Sequence, residues 1–192
     1  MNRLTRFSAI LALAAGLAGP ALAAPATYVI DPTHTYVRFS YDHLGLSTQL
    51  SRFDQTSGTV VYDKAARTAA VNVTVDTKSV DSGYATFNEH LQSADFLDTA
   101  QFPTATFKST KVVFQGDKPA SIEGELTIKG VTRPVSLTVT RFVNKEHPMK
   151  KKDAIGADAS TTIKRSDFNA GKYAPNVGDE VTISIAIEAL QH

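Results

Sequence analysis

The segment Val181-Thr-Ile-Ser-Ile-Ala-Ile-Glu-Ala189 alternates without a break, with Val181, Ile183, Ile185, Ile187 and Ala189 on one side of an extended chain and Thr182, Ser184 and Glu188 on the other. Side chains of a strand point to opposite faces in turn, so this is a strand with one apolar and one water-compatible face. The pattern returns in Val135/Leu137/Val139 against Ser136/Thr138/Thr140, and in Val71/Val73/Val75 against Asn72/Thr74/Asp76. A sheet that is wet on one face throughout is not covered by helices there. It must stack on a second sheet or close upon itself, and either choice encloses an interior.

The first residues fall outside this pattern. Arg3 and Arg6 precede an apolar run from Phe7 to Leu17, followed by Gly19-Pro20 and Ala21-Leu-Ala23. That order reads as a secretory signal peptide over residues 1–23, cleaved after Ala23, which leaves residues 24–192 as one domain and predicts a periplasmic product. Without Arg3 and Arg6 the 20 basic residues fall to 18 against 19 acidic ones, and such a balance carries no nucleic-acid footprint. The chain has no Cys, so an exported domain of this kind must be held by packing and closed hydrogen-bond ladders rather than by disulfides.

Strands are predicted at Tyr28 to Ile30, Tyr36 to Tyr41, Ser47 to Phe53, Gly58 to Tyr62 and Val71 to Val75. Between Asp81 and Phe102 the period changes: Phe87 and Leu91 are four apart, which predicts one or two short helices capped by Asp81 or Ser82. Strand signals resume at Ala105/Phe107, Val112/Phe114 and Ile122/Leu126/Ile128, with Lys129-Gly130 as a tight turn into Pro134 to Val143. A basic loop, Asn144 to Asp153, precedes the alternation Ile155/Ala157/Ala159/Thr161/Ile163. The reading is all-β, with eight to ten antiparallel strands and one helical insertion.

Small residues near Gly124, Ala157 and Ala159 face bulky ones such as Phe39, Phe53 and Phe107, a mixture that suits either a packed core or a cavity; the pattern leaves both open. Several phrases bear further on the choice: Tyr28-Val-Ile-Asp-Pro-Thr-His34, His43-Leu-Gly-Leu, His90-Leu-Gln-Ser-Ala-Asp-Phe96 with Phe102-Pro103, Gly124-Glu-Leu-Thr-Ile-Lys-Gly-Val-Thr-Arg-Pro134, Ile163-Lys-Arg-Ser-Asp-Phe168 and Val177-Gly-Asp-Glu-Val-Thr-Ile. In that order, over essentially the whole chain after the leader, they resemble the YceI-like family of exported polyisoprenoid-binding, lipocalin-like proteins. The resemblance implies an extended antiparallel lipocalin-like barrel of about eight strands with one short helical insertion. It also implies a long-chain isoprenoid or fatty lipid, such as an isoprenoid quinone, in the bore, with no catalysis and no cofactor. Asn169 departs from the family's Gly after Arg-Ser-Asp-Phe, but Asn also tolerates positive φ. Ser51 or Arg52 stands where a Gly is expected before Phe53.

On this reading the lipid tail is buried among Phe39, Phe53, Val73, Phe87, Leu91, Phe107, Leu126, Leu137, Phe168 and Ile183, with His43 at the mouth beside the head group. His34, His43 and His90 have no compact metal-ligand spacing and are read as hydrogen-bonding residues, His34 with Asp31 at a barrel end; His147 and His192 are read as solvent-exposed. Arg165 is expected to satisfy carbonyls or a carboxylate at a strand-end corner, with Asp167 capping the turn. Lys145 and Lys150-Lys-Lys152 suit a solvated hairpin tip, the alternative being transient contact with an anionic membrane surface. A homodimer is left open. Two rival readings stand beside the lipid carrier: a stress-response or interaction protein with a filled core, and a lipid-modifying enzyme, although no Gly-x-Ser-x-Gly nucleophile elbow is present.

Overall fold

The structure is a computed structural model that describes residues 24–192; the expected leader lies outside the described residues. The elements in chain order are β1 (Ala26–Ile30), β2 (Tyr36–His43), β3 (Ser47–Phe53), β4 (Thr56–Asp63), β5 (Thr68–Asp76), β6 (Val80–Asp81), α1 (Ala85–Gln92), β7 (Thr104–Gln115), β8 (Lys118–Ile128), β9 (Val131–Glu146), β10 (Asp153–Lys164) and β11 (Val177–Gln191). All the strand pairs are antiparallel, and pairing of β1 with both β4 and β11 closes the sheet into a barrel. The wall has eight positions, because three of them are each filled by two strands in succession: β1 then β2 along β11, β3 and β4 alongside them, and β5 then β6 beyond. The sequence pattern therefore predicts the class of fold correctly, and closure pairs off most of the sheet edges, with Ser47–Ser51 of β3 left open on one side.

Three bulges keep the apolar face inward along the longest strands. In β7 the register with β8 shifts between Ser109 and Lys111, and the lumen-facing set changes from Ala105 and Phe107 to Val112 and Phe114. In β9 the register with β10 skips Thr140, and the inward set passes from Val135, Leu137 and Val139 to Phe142. In β8 the register skips Ala120, and Pro119 gives way to Ile122 and Leu126. One extra residue shifts a strand's alternation by one place and bends it, which a curved, closing wall requires.

Other expectations are corrected in detail. α1 starts after Tyr84 with no side-chain cap; Ser82 instead donates through its N–H and Oγ to Oδ1 of Asn88, one turn inside the helix. The basic loop shrinks to a turn between Glu146 and Asp153, and His147 is half-buried because its Nδ1 accepts from the N–H groups of Met149 and Lys150. That turn lies with the β4–β5 and β7–β8 turns at one end of the barrel, here called the base. The β2–β3 and β8–β9 turns, α1 and residues 165–176 lie at the other end, the mouth.

The base is sealed. Tyr28, Ile155 and Ala189 are fully buried there, and the Tyr62 ring stacks on Phe114 and meets Phe142 edge-on with centroids 5.5 Å apart. The Tyr28 hydroxyl donates to Oδ2 of Asp153 at 2.7 Å, and Asn144 donates to both carboxylate oxygens. Burial, reinforced by the Asp153 carboxylate, pushes the Tyr28 phenol up from about 10 to about 12. Burial also pushes Asp153 up, but its hydrogen bonds from Tyr28, Asn144 and its neighbour's N–H outweigh this and leave it below the ordinary carboxylate range. A phenol whose folded pKa is raised stabilises the fold fully below its unfolded value and loses that contribution as pH rises through the folded one. Thermal unfolding is therefore expected to show a loss of stability between about pH 10 and about 12 that is smaller in Tyr28→Phe. Identical alkaline slopes for the two proteins would contradict the assignment.

Candidate functional site

Inside the wall lies a cavity of about 480 Å³. Its side is drawn by the inward alternation of each strand: Val37, Phe39 and Tyr41 from β2, Val71, Val73 and Val75 from β5, and Val181, Ile183, Ile185 and Ile187 from β11. Many inward apolar residues, among them Phe39, Val73, Leu126, Val135, Ile183 and Ile185, are only half-buried although they face the barrel interior. In a packed core such residues would be covered by one another. Here they are covered only from the wall side, and the interior is hollow.

Small residues contribute unequally to this space. Ala157 and Ala159 line the cavity, whereas the space at Gly124 is already occupied: a Cβ there would stand 2.5 Å from the Phe107 ring and 2.6 Å from the Lys108 carbonyl. Gly124 is thus a seat for Phe107 rather than a contributor to the void.

The polar groups gather at the mouth. Arg165 sits in a 3-10 turn, Arg165–Phe168, at the end of β10, and lines the cavity. Its guanidinium donates to four carbonyls: Nε to Gly178 at 2.8 Å, one terminal nitrogen to Ala170 at 2.6 Å and Lys172 at 2.7 Å, and the other to Val177 at 2.7 Å. Burial pulls its pKa below the usual guanidinium value while the Asp179 carboxylate acts in the opposite sense, and an arginine remains charged throughout. The expected carbonyl role is thus observed. The capping role expected of Asp167 belongs instead to Asp179, whose carboxylate accepts from the N–H of Ser166 at 2.9 Å and its Oγ at 2.7 Å. Asn169 ends the turn in the left-handed region at φ 56°, as its place after Phe168 requires.

A row of rings roofs the mouth. Phe87 and His90 of α1 meet edge-on at 5.9 Å, His90 meets Phe96 at 4.9 Å, and Phe96 lies 6.1 Å from Tyr173. All four face the cavity. The segment carrying Phe96 is latched to the Arg165 corner by Lys129, whose Nζ donates to the carbonyls of Ala94 at 2.6 Å and Asn169 at 2.9 Å, and by Lys172 at 3.6 Å from Asp95. On the opposite side the wall is incomplete: β6 reaches only Arg52 and Phe53 of β3, so Ser47–Ser51 have one unpaired edge.

The eleven residues expected to bind a ligand, Phe39, His43, Phe53, Val73, Phe87, Leu91, Phe107, Leu126, Leu137, Phe168 and Ile183, all line this one cavity. Tyr41, His90, Phe96, Arg165 and Tyr173 line it as well, although none is among the residues expected there. Tyr41 continues the inward alternation of Val37 and Phe39 and could have been found by it, whereas His90, Phe96, Arg165 and Tyr173 lie in the helix and loops around the mouth, where no period singles out a residue. His34 lies away from the cavity, its Nδ1 3.2 Å from Asp31, in the turn beside the base. No cluster of three or more metal-ligating side chains occurs among the described residues.

A closed antiparallel barrel with a packed base, an apolar bore and a polar, ring-roofed mouth defines a hollow-barrel protein of lipocalin-like construction. Residues 28–189 match the model of the YceI-like domain, and the chain belongs to that family. Protein YceI of Escherichia coli O157:H7 is 39% identical over 175 residues, 91% of this chain and 91% of that one. Among solved structures, Burkholderia cenocepacia BcnA superimposes with a TM-score of 0.72 at 27% identity, covering 83% of this chain and 99% of that one. A polyisoprenoid binding domain from Saccharophagus degradans superimposes with a TM-score of 0.65 at 16% identity, covering 86% of this chain and 98% of that one, and shares the fold.

The Arg165 clamp has a direct test. Arg165→Met strips the donors from four carbonyls and is expected to lower unfolding free energy in urea by about 2 kcal/mol. Hydrogen exchange should accelerate at residues 169–178 while β11 near Ala189 stays protected. Uniform acceleration over the barrel, or none, would contradict a local clamp.

Proposed function

We propose that this protein binds a polyisoprenoid or similar long-chain lipid, an isoprenoid quinone being one such molecule, and sequesters or carries it in the periplasm without making or breaking a bond. The observation that carries the reading is the length of the bore and its apolar lining. Its β10 side runs Ile155, Ala157, Ala159, Thr161, Ile163 and Arg165; at about 3.3 Å per residue and a tilt of about 40° this spans about 25 Å of barrel axis. A single bilayer leaflet contributes about 15 Å of hydrocarbon. A bore longer than a leaflet has room for a long chain, prenyl or acyl, held extended. The name of the Saccharophagus degradans domain with the same fold points the same way. The periplasmic setting rests on the leader-like order of residues 1–23.

Desolvation supplies the affinity. About ten buried methylenes contribute on the order of 8 kcal/mol before the cost of ordering the tail. The tail lies along Phe39, Phe53, Val73, Leu126, Leu137 and Ile183, and the head group stays at the mouth among His43, His90, Tyr41 and Arg165. With its guanidinium held by four carbonyls, Arg165 is a fixed positive charge that favours an electron-rich head group. The hollow interior speaks against the filled-core alternative. The enzyme alternative gains no support from the hydrogen bonds of the mouth, where Ser166 is engaged with Asp179 rather than with a histidine.

Native mass spectrometry of the protein purified without detergent is expected to show an added mass that organic solvent extracts as a long prenyl lipid. Ala159→Trp, which fills the bore between β9 and β11, is expected to keep the far-ultraviolet β signature and lose the added mass. A wild-type protein that is ligand-free and takes up no long prenyl chain would overturn the proposal.

A further inference from the structure

Seven large apolar side chains are conspicuously exposed among the described residues, and five of them, Leu44, Leu46, Leu50, Tyr84 and Tyr173, stand at the mouth. Leu46 is 81% exposed and Leu50 61%, on a β2–β3 hairpin whose tip extends past the last wall contact of β6. Tyr84 immediately precedes α1 and Tyr173 belongs to the ring roof, so these residues come from three segments around one opening. None of Leu44, Leu46, Leu50 and Tyr84 lines the cavity, and no hydrogen bond or ion pair joins the hairpin tip to α1 among the described residues. The hairpin tip is bonded to the 165–176 corner through the Leu44 N–H and the Asn176 carbonyl but not to the helix, so the gap between hairpin and helix is the unlatched side of the opening, in contrast to the side held by Lys129 and Lys172.

We infer that this rim is a membrane-docking surface, in which the β2–β3 hairpin inserts Leu44, Leu46 and Leu50 into the headgroup–acyl boundary of a lipid bilayer and brings the lumen mouth against it. The inference rests on the lumen being a lipid site. A water-insoluble chain must pass between bilayer and bore without crossing water, and the apolar rim is continuous with the bore through Tyr173 and through His43, next in sequence to Leu44. Leucine with tyrosine is the composition that settles at a membrane interface. One charge behind the leucines suits it as well. On the outer face of the same hairpin Ser40 faces Leu50 and Arg38 faces Arg52; Arg52 is paired with Asp54 and Asp81, while exposed Arg38 has no ion pair among the described residues and stands one step down the wall to meet anionic headgroups. The basic turn at Lys150–Lys152 stands at the base, far from the mouth, and would present the sealed end to a bilayer.

Flotation with phosphatidylethanolamine vesicles, with and without phosphatidylglycerol, tests the surface. The full chain is expected to float, more so with phosphatidylglycerol, and the triple variant Leu44→Ser, Leu46→Ser, Leu50→Ser to float about tenfold less or worse. Met149→Ser, an equally exposed apolar residue at the base, is expected to change nothing. Loading with a fluorescent prenyl chain delivered from dilute ethanol should be equal in wild type and triple variant, because the three leucines lie outside the bore, while extraction of the same chain from vesicles should slow in the variant. Equal flotation of wild type and triple variant, or a matching loss in Met149→Ser, would overturn the docking surface. So would a rim that drives self-association with no vesicle binding. Failure of both proteins to load from ethanol, with vesicle binding intact, would instead overturn the lumen reading and leave the docking surface standing.

Discussion

Closure of the ladder without enough side chains to fill it is the condition on which everything else in this barrel depends. Tyr28–Ile30 pair with Ala189–Gln191 on one edge and Ala26–Val29 pair with Thr59–Tyr62 on the other, so no strand edge remains to be satisfied around the base. An apolar interior would ordinarily be driven to collapse until its voids closed. Here the hydrogen-bonded ring fixes the diameter, and an eight-position wall is just wide enough to hold one small ligand when its inward residues do not meet across the bore. The bulges at Thr110, Ala120 and Thr140 serve the same end, since without them the inward faces of β7, β8 and β9 would turn polar part of the way along.

The two ends divide the work between sealing and admission. At the base, Tyr62 packs with Phe114 and Phe142, and Tyr28, Asp153 and Asn144 are joined by hydrogen bonds. At the mouth, polar connections hold one side only. Arg165 holds the 165–176 corner together and Lys129 and Lys172 tie that corner to the segment after α1, whereas the β2–β3 hairpin is bound to the rest mainly through its own strands and the Leu44 N–H to Asn176 carbonyl bond. A barrel with one firm end and one half-latched end has a direction, and that direction is what a carrier of an insoluble chain requires.

Much of this architecture is legible in the order of the amino acids. The alternation of Val181 to Ala189, of Val135 to Val139 and of Val71 to Val75 dictates a sheet with one wet face, and the four-residue spacing of Phe87 and Leu91 marks the helix. Most of the residues expected to meet a ligand follow from the same two periods, which is why they reach the bore. What escapes is whatever depends on register. Hollowness does not follow from small residues, because Gly124 is filled by Phe107 of the neighbouring strand while Ala157 and Ala159 border open space. The row Phe87–His90–Phe96–Tyr173 joins residues far apart in the chain, and Asp179 takes the cap expected of Asp167 because the start of β11 runs beside the Arg165 turn.

The central claim is a hollow bore occupied along its length by hydrocarbon. A crystal structure of the protein purified without detergent measures it most directly. The account requires continuous, unbranched or methyl-branched density running from the level of Ile155 to that of His43, flanked by Val73, Leu126 and Ile183. Side chains collapsed across the axis, or a column of ordered water in place of the chain, would contradict it.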